Sequence, residues 1–190
     1  MQFTKHIKLD FPENEIASVS ADVGRRLWLQ QILGPDEHTI DLGGIGHLLA
    51  GWHKNYKCID DLSGFGPPGQ LAGEVIKGDI QALPFKDDEF DVAVMMEVLE
   101  HLPDPVRALE EAARVAKTII ITVPNEMAWT NGLSFTLGGH VRFYTSDILA
   151  AQFRRAGLQG EIASLSFGTW AFWAAIVCKA DDYKKNHHQK

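Results

Sequence analysis

The sequence has no long apolar run and no concentration of positive charge, and each absence excludes a class of protein. No stretch approaches the roughly 20 continuous apolar residues that a membrane-spanning helix requires, and the first residues, MQFTKHIKLDF, lack the apolar core of a secretory signal. The formal net charge is −7, which argues against a nucleic-acid-binding surface. These features predict a cytoplasmic protein without a nucleic-acid partner or a membrane span.

Cysteine is scarce, and the histidines lack the spacing of metal ligands. The two cysteines, Cys58 and Cys178, each lie in an apolar, strand-like run, which favours reduced, packed thiols over a disulfide. The 8 histidines are scattered along the chain without the short, regular intervals typical of metal sites. The sequence therefore predicts neither a disulfide nor a bound metal.

The overall amino-acid composition is that of an ordinary globular domain. With 190 residues, 45% of them hydrophobic, the chain is long enough for one well-buried core, and it shows no repeat or linker. Short apolar runs alternate with amphipathic helical patterns, which predicts a parallel sheet with helices on its faces. We expect a single domain over residues 1–180 and a disordered tail over 181–190, where the basic run YKKNHHQK is typical of a frayed terminus.

Caps and apolar periods predict where most elements lie. Helices are expected over about residues 20–33 with Ser20 as N-cap, in DPVRALEEAARVAK with Asp104 as N-cap, and in TSDILAAQFRRAG with Thr145 as N-cap. A further helix is expected to begin in GHLLAGW, whereas DLSGFGPPGQLAGE predicts a loop. Strands are predicted in HTIDLG, YKCID, VIKGD, EFDVAVMME, TIIITVP, GEIASLSF and WAFWAAIVCKA.

An acidic residue and three glycines follow the first predicted strand, in IDLGGIG. Glycines let a ligand approach the backbone, although a plain tight turn is the alternative. The second strand ends in Asp60-Asp61, where a carboxylate can accept two hydroxyl protons of a ribose. The alternative is that the paired aspartates end the strand and stay solvated. Together the two features indicate an adenosine-type ligand.

Asp41 distinguishes between two such ligands. A carboxylate directly before the glycines repels a pyrophosphate but suits a ligand that carries an ammonium or a sulfonium, and S-adenosylmethionine has both. The dinucleotide spacing G-x-G-x-x-G is also not met, because Gly46 is followed by His47, Leu48 and Leu49. A nicotinamide-dependent reductase is therefore the less favoured alternative.

The run GDIQALPFKDDEFDVAVMMEVLEHLPDPVRALEEAARVAKTIIITVPN resembles the central half of a class I S-adenosylmethionine-dependent methyltransferase. The resemblance covers residues 38–157, with a cofactor core over 38–125 and an acceptor-side segment over 126–157. It implies a doubly wound α/β fold: a seven-stranded, mostly parallel sheet with an antiparallel last strand, Rossmann-like. It also implies S-adenosylmethionine as cofactor and methyl transfer to an unidentified small molecule.

The same resemblance implies roles for individual residues. An acid and the glycine backbone would hold the amino-acid end of the cofactor; these are Asp41, Gly43, Gly44 and Gly46. Asp61, with Asp60 as second candidate, would bind the ribose. The adenine would be contacted by Leu62, Asp79 and Ile80. Met95 and Met96 would lie near the transferable methyl, with core packing as the alternative for either.

Two departures from the family pattern leave a second interpretation open. The glycine loop is one residue shorter than usual, and GFGPPGQLAG replaces the helix expected after the second strand. A catalytically degenerate binding or scaffold module is therefore the alternative to an enzyme. If the acceptor needs a general base, His101 in LEHLPD and His140 in GGHVRFY are the candidates by residue type, and packing or capping is the alternative for His101. The oligomeric state is not indicated.

Overall fold

The computed structural model describes residues 20–44, 48–62, 74–128, 139–167 and 170–187. In these ranges four helices flank one sheet: α1 (Ala21–Ile32), α2 (Pro105–Val115), α3 (Ser146–Arg155) and α4 (Ala180–His187). The strands are β1 (Thr39–Leu42), β2 (Tyr56–Asp60), β3 (Val75–Lys77), β4 (Phe90–Met96), β5 (Ala116–Pro124), β6 (Leu158–Phe167) and β7 (Trp170–Lys179). Two 3₁₀ turns, Leu99–His101 and Glu126–Ala128, follow β4 and β5.

The seven strands form one sheet in the order β3-β2-β1-β4-β5-β7-β6. All neighbours pair in parallel except β7, which lies antiparallel between β5 and β6. The strand order reverses between β1 and β4, and ligands of such sheets bind beyond the carboxyl ends of the strands at this point. The expected doubly wound sheet with an antiparallel last strand is confirmed.

The two faces of the sheet are covered by different elements. On one face, Trp28 and Leu29 of α1 pack against Val94 and Phe172. On the other face, α2 and α3 bury a larger apolar cluster around β4 and β5. Because both faces are covered, the central strands are buried along their length, as their continuous apolar sequences predict.

Three predicted N-caps explain where the helices begin. The side chains of Ser20, Asp104 and Thr145 accept hydrogen bonds from backbone N–H groups three residues ahead, at 3.4, 3.2 and 3.2 Å. Each satisfies one of the backbone donors that a helix N-terminus leaves without an intrahelical partner. These cap predictions are confirmed.

Two elements differ from expectation. The stretch after β1 forms no helix over residues 48–52: it turns at Gly51, whose φ is +82°, and the Trp52 indole donates back to the carbonyl of Leu48. A left-handed glycine at that point ends any helical turn. At the other end, residues 180–187 are helical rather than disordered. Asp182 and Lys185 pair one turn apart on α4, and the N–H of Ala180 donates to the carbonyl of Gly157.

Within the described ranges, no helix combines the length and the apolar content needed to cross a membrane.

Candidate active site

The turn after β1 has no room for side chains at two of its glycines. Gly43 has φ +73°, and a Cβ there would lie 2.6 Å from a methyl of Val98, which belongs to the loop after β4. A Cβ on Gly44 would collide with the carboxylate of Asp41. The Asp41 carboxylate therefore lies directly under bare backbone at the β1–β4 switch point. Gly46 lies outside the described residues.

The two aspartates after β2 differ in environment. Asp60 is buried, and its carboxylate accepts a 2.6 Å hydrogen bond from the N–H of Leu62, which has φ +63°. Burial raises the pKa of Asp60, while the Leu62 N–H opposes this and the charge of Asp61 adds to it. Asp61 is exposed at the edge of the sheet beyond β2. The structure thus places Asp61, the first candidate for binding the ribose, at the surface, whereas Asp60, the second candidate, is buried.

The two proposed adenine contacts after β3, Asp79 and Ile80, also differ in environment. The exposed Asp79 accepts from the backbone and side-chain amides of Gln81, which closes a tight turn. Ile80 points the other way and is buried in the core. Gly78, just before them, donates its N–H to the carbonyl of Asp60, which joins the β2 and β3 loops.

The end of β4 combines buried methionines with a strained backbone. Met95 is fully buried in the core on one face, whereas Met96 lies on the other face and its sulfur accepts from the hydroxyl of Thr122 at 3.3 Å. Glu97 follows with φ +58°, a conformation that non-glycine residues rarely adopt and that concentrates at functional sites. Its carboxylate lies 3.6 Å from the guanidinium of Arg25 on α1.

The segment over residues 139–144 is held against the turn after β4 by several hydrogen bonds. The N–H of Val141 donates to the carbonyl of Glu100, and Arg142 donates to the carbonyls of Leu102 and Pro103. The buried Tyr144 hydroxyl lies 3.3 Å from the carbonyl of Leu99. Arg142 and Tyr144 therefore position the segment.

Docking of this segment assembles what we call the Glu–His cluster: Glu100, His101, Glu126 and His140. Nδ1 of His140 lies 2.6 Å from a carboxylate oxygen of Glu126, and both side chains are at least nine-tenths buried. The two imidazole rings stand edge to face with centroids 5.0 Å apart. The structure thus brings His101 and His140 together, although they are far apart in sequence.

Burial sets the charge balance of this region. Burial raises the pKa of Glu100 well above its usual range, and the nearby charge of Glu97 raises it further. Burial also raises the pKa of Glu97 to about 7, against the favourable charge of Arg25. The pKa of His101 is lowered by burial, against a hydrogen bond to the carbonyl of Gly139. Carboxyl groups and the two imidazoles thus meet here, and the guanidinium of Arg25 lies beside Glu97.

Sequence reasoning missed Glu100 and Glu126 as members of the site. Both follow the carboxyl end of a central strand, in LEHL after β4 and in PNE after β5, and position after a strand is the signal that could have found them. Their meeting with His140 depends on the docked 139–144 segment, which no local pattern reports.

The comparisons with known proteins agree with this geometry. A family model described as a methyltransferase domain matches residues 51–119. An uncharacterized methyltransferase of Mycobacterium sp. (strain KMS) is 33% identical over 81 residues, which are 39% of this chain and 32% of that protein. A probable S-adenosylmethionine-dependent methyltransferase of Mycobacterium tuberculosis is 31% identical over 88 residues, 44% of this chain and 32% of that protein. The matched stretches thus span about a third of the length of these curated relatives.

Solved structures extend the likeness to most of the fold. The Burkholderia thailandensis 1,6-didemethyltoxoflavin-N1-methyltransferase, solved with S-adenosylhomocysteine, superposes with a TM-score of 0.64 at 17% identity. The superposition covers 85% of this chain and 79% of that one. The expected resemblance is confirmed: the chain has the fold of S-adenosylmethionine-dependent methyltransferases, and residues 51–119 are similar to a methyltransferase domain.

Proposed function

We propose that this protein transfers a methyl group from S-adenosylmethionine to a small molecule. The observation that carries the proposal is the Asp41 carboxylate, buried against the bare backbone of Gly44 where the strand order reverses. A carboxylate here attracts the ammonium of the cofactor and would repel a pyrophosphate. The exposed Asp61 is the proposed ribose ligand, and Asp79 the proposed adenine ligand.

Methyl transfer is an in-line displacement, so the protein's main task is to align the acceptor with the methyl carbon. The new bond forms between the acceptor atom and the methyl carbon while the carbon–sulfur bond breaks, and its electron pair stays on sulfur. The acceptor then approaches from the side opposite the sulfur, near the strained Glu97 at the end of β4. The sulfonium charge disappears during the reaction, so no new charge develops on the cofactor.

We place the acceptor against the Glu–His cluster. This group lies next to Glu97, on the turns that follow β4 and β5 and on the docked segment. His101 and His140 were expected as candidate bases, and their placement together supports an acceptor-side role for both. An oxygen acceptor must lose a proton during transfer, and buried carboxyl groups and imidazoles are the side chains suited to that step.

Calorimetric titration with S-adenosylmethionine and S-adenosylhomocysteine tests the proposal. We expect dissociation constants of about 1–100 μM for both. Asp61→Asn and Asp41→Asn should each weaken binding at least tenfold. If Asp60→Asn weakens binding more than Asp61→Asn does, the ribose assignment passes to Asp60.

Asp181→Asn is the matched control, because Asp181 is an exposed aspartate on α4, which follows the end of β7 on the opposite edge of the sheet. It should bind both ligands as the wild type does. A folded wild-type protein that binds neither ligand would overturn the proposal in favour of a degenerate scaffold module.

A further inference from the structure

The Glu–His cluster contains three side chains with the chemistry of a metal site. One ligand atom from each of Glu100, His101 and His140 lies within 4.8 Å of the other two. Two imidazoles and one carboxylate are a donor set that binds first-row divalent cations and leaves further coordination positions open. Spacing along the chain does not reveal this set, because His140 reaches it only through the docked 139–144 segment.

The Nδ1 hydrogen bonds of both imidazoles make Nε2 the ring atom suited to bind a metal. Nδ1 of His140 faces the Glu126 carboxylate at 2.6 Å, and Nδ1 of His101 faces the carbonyl of Gly139 at 3.4 Å. Both partners are acceptors, so each Nδ1 carries the proton and each lone pair lies on Nε2. Metal-binding histidines typically donate their second N–H to a carboxylate or a backbone carbonyl in this way.

The Glu100 carboxylate is the independent observation that points to a cation. The side chain is 0% exposed, and neither of its oxygens has a hydrogen bond to another described residue. His101 is not such a partner, since its Nε2 lies 3.9 Å from a Glu100 oxygen, beyond hydrogen-bond distance. A buried carboxylate without a partner is strongly unfavourable, and a coordinated cation removes that penalty.

We propose that Glu100, His101 and His140 bind one divalent cation, with Glu126 as the positioning residue for His140. Metal–ligand bonds of about 2.0–2.2 Å put tetrahedral neighbours roughly 3.4 Å apart. The three groups must therefore approach one another by up to about 1.5 Å. The half-exposed His101 ring, which lies at the mouth of the cluster, has the freedom to make that movement.

The role of the cation rests on the proposed methyl transfer. An acceptor hydroxyl that binds an open coordination position loses its proton to water more readily, because the cation stabilises the oxyanion. The acceptor oxygen would then form the bond to the methyl carbon as the carbon–sulfur bond breaks, with the electron pair of that bond staying on sulfur. This assigns the acceptor a chemical class, an oxygen nucleophile such as a phenol or another acidic hydroxyl.

Direct metal titration of the chelator-stripped full chain tests the site without any acceptor. We expect one equivalent of Zn²⁺ by calorimetry, and of Mn²⁺ by electron paramagnetic resonance. Glu100→Gln and His140→Ala should each weaken Zn²⁺ binding at least 100-fold, and Glu126→Gln about 10- to 100-fold. Glu100→Gln keeps the shape of the side chain, and a thermal melt of each variant verifies folding.

The tail histidines provide the matched control, since His187 and His188 could bind Zn²⁺ adventitiously. A His187→Ala/His188→Ala variant should keep the site. Loss of binding in this variant, or equal binding in Glu100→Gln and wild type, would overturn the proposal. Titration of S-adenosylhomocysteine into Glu100→Gln separates the two ideas. If Glu100→Gln loses Zn²⁺ binding and keeps its affinity for S-adenosylhomocysteine, the metal site is separate from the cofactor site. If the wild type binds S-adenosylhomocysteine and no metal, the metal proposal is rejected and the proposed methyl transfer stands.

Discussion

The two edges of the sheet use charge in opposite ways. At the amino edge of the parallel strands, charged groups are paired and largely exposed, as in Lys57–Glu89, Lys117–Asp91 and Lys179–Asp88. At the carboxyl edge, the carboxyl groups of Glu97, Glu100 and Glu126 are buried or nearly so, and oxygens of all three lack hydrogen bonds within the described part of the chain.

This difference separates stability from function. The charged groups at the amino edge neutralise one another and need no ligand for stability. Buried carboxylates at the carboxyl edge are unfavourable by themselves and become favourable when a cationic ligand or a metal arrives. The strained φ of Glu97 lies at the same edge. Backbone strain and buried charge are typical of functional sites, where ligand binding offsets these unfavourable energies.

The largest effect should come from breaking the most buried pair at the amino edge. Arg114 donates to both oxygens of Glu111, at 2.9 and 2.8 Å, and to the carbonyls of Leu83 and Phe85. We expect Arg114→Ala to lower the free energy of unfolding by about 3 kcal/mol, because Glu111 keeps a buried charge without its partner. Urea unfolding measures this.

Arg107 provides the control for that variant. Its side chain is 53% exposed and lies 3.8 Å from Glu111. Arg107→Ala should cost less than about 1 kcal/mol. Equal losses in the two variants would show that burial of the pair does not determine its contribution. Arg114→Ala should not change the affinity for S-adenosylhomocysteine, since Arg114 lies outside the proposed cofactor site.

The carboxyl edge should lose stability as the pH rises. The pKa of Glu97 is about 7 in the folded protein against an ordinary value of 4.5, so the folded state binds more protons than the unfolded state between these values. Stability should therefore fall by about 2 kcal/mol as the pH rises from 4.5 to 7. Urea unfolding at several pH values, in the presence of a chelator, measures the slope.

Glu97→Gln should reduce that slope, because it removes one of the two buried carboxyl groups with a raised pKa and leaves Glu100. Glu110→Gln is the matched control: Glu110 is an exposed glutamate on α2 whose side chain is 45% accessible. Its slope should equal that of the wild type. An unchanged slope in Glu97→Gln would mean that another buried group carries the pH dependence.

The glycine turn allows a more local comparison. Gly44→Ala places a methyl against the Asp41 carboxylate and should weaken S-adenosylhomocysteine binding about tenfold. Gly157→Ala is the control: its φ is +69°, but nothing lies within 4 Å of an added Cβ. It should cost about 1 kcal/mol of stability through strain alone and leave cofactor affinity unchanged. Tight binding by a folded Gly44→Ala protein would remove Asp41 from the cofactor site.

The sheet was predictable from the sequence because its signals are local. Apolar runs of strand length, and caps such as Asp104 and Thr145, act within a few residues. The helix predicted after β1 does not form, which shows the limit of such signals. Leu48 and Leu49 are buried without a helix, and the left-handed backbone of Gly51 turns the chain there. The Glu–His cluster was not predictable, because it depends on hydrogen bonds between segments that are distant in sequence.

The smallest effect should come from an exposed pair at the amino edge. Lys117 lies 2.7 Å from Asp91, and its side chain is 62% exposed. We expect Lys117→Ala to cost at most about 0.5 kcal/mol at low salt, and less at 1 M salt where surface charges are screened. The hydrogen bond from Lys117 lowers the pKa of Asp91, so this small contribution is present at neutral pH and is lost as the pH falls below about 4. A salt-insensitive loss above 1 kcal/mol would mean that Lys117 acts through packing of its alkyl chain rather than through charge. The contrast between the edges would then rest on Arg114 and the buried carboxyl groups alone.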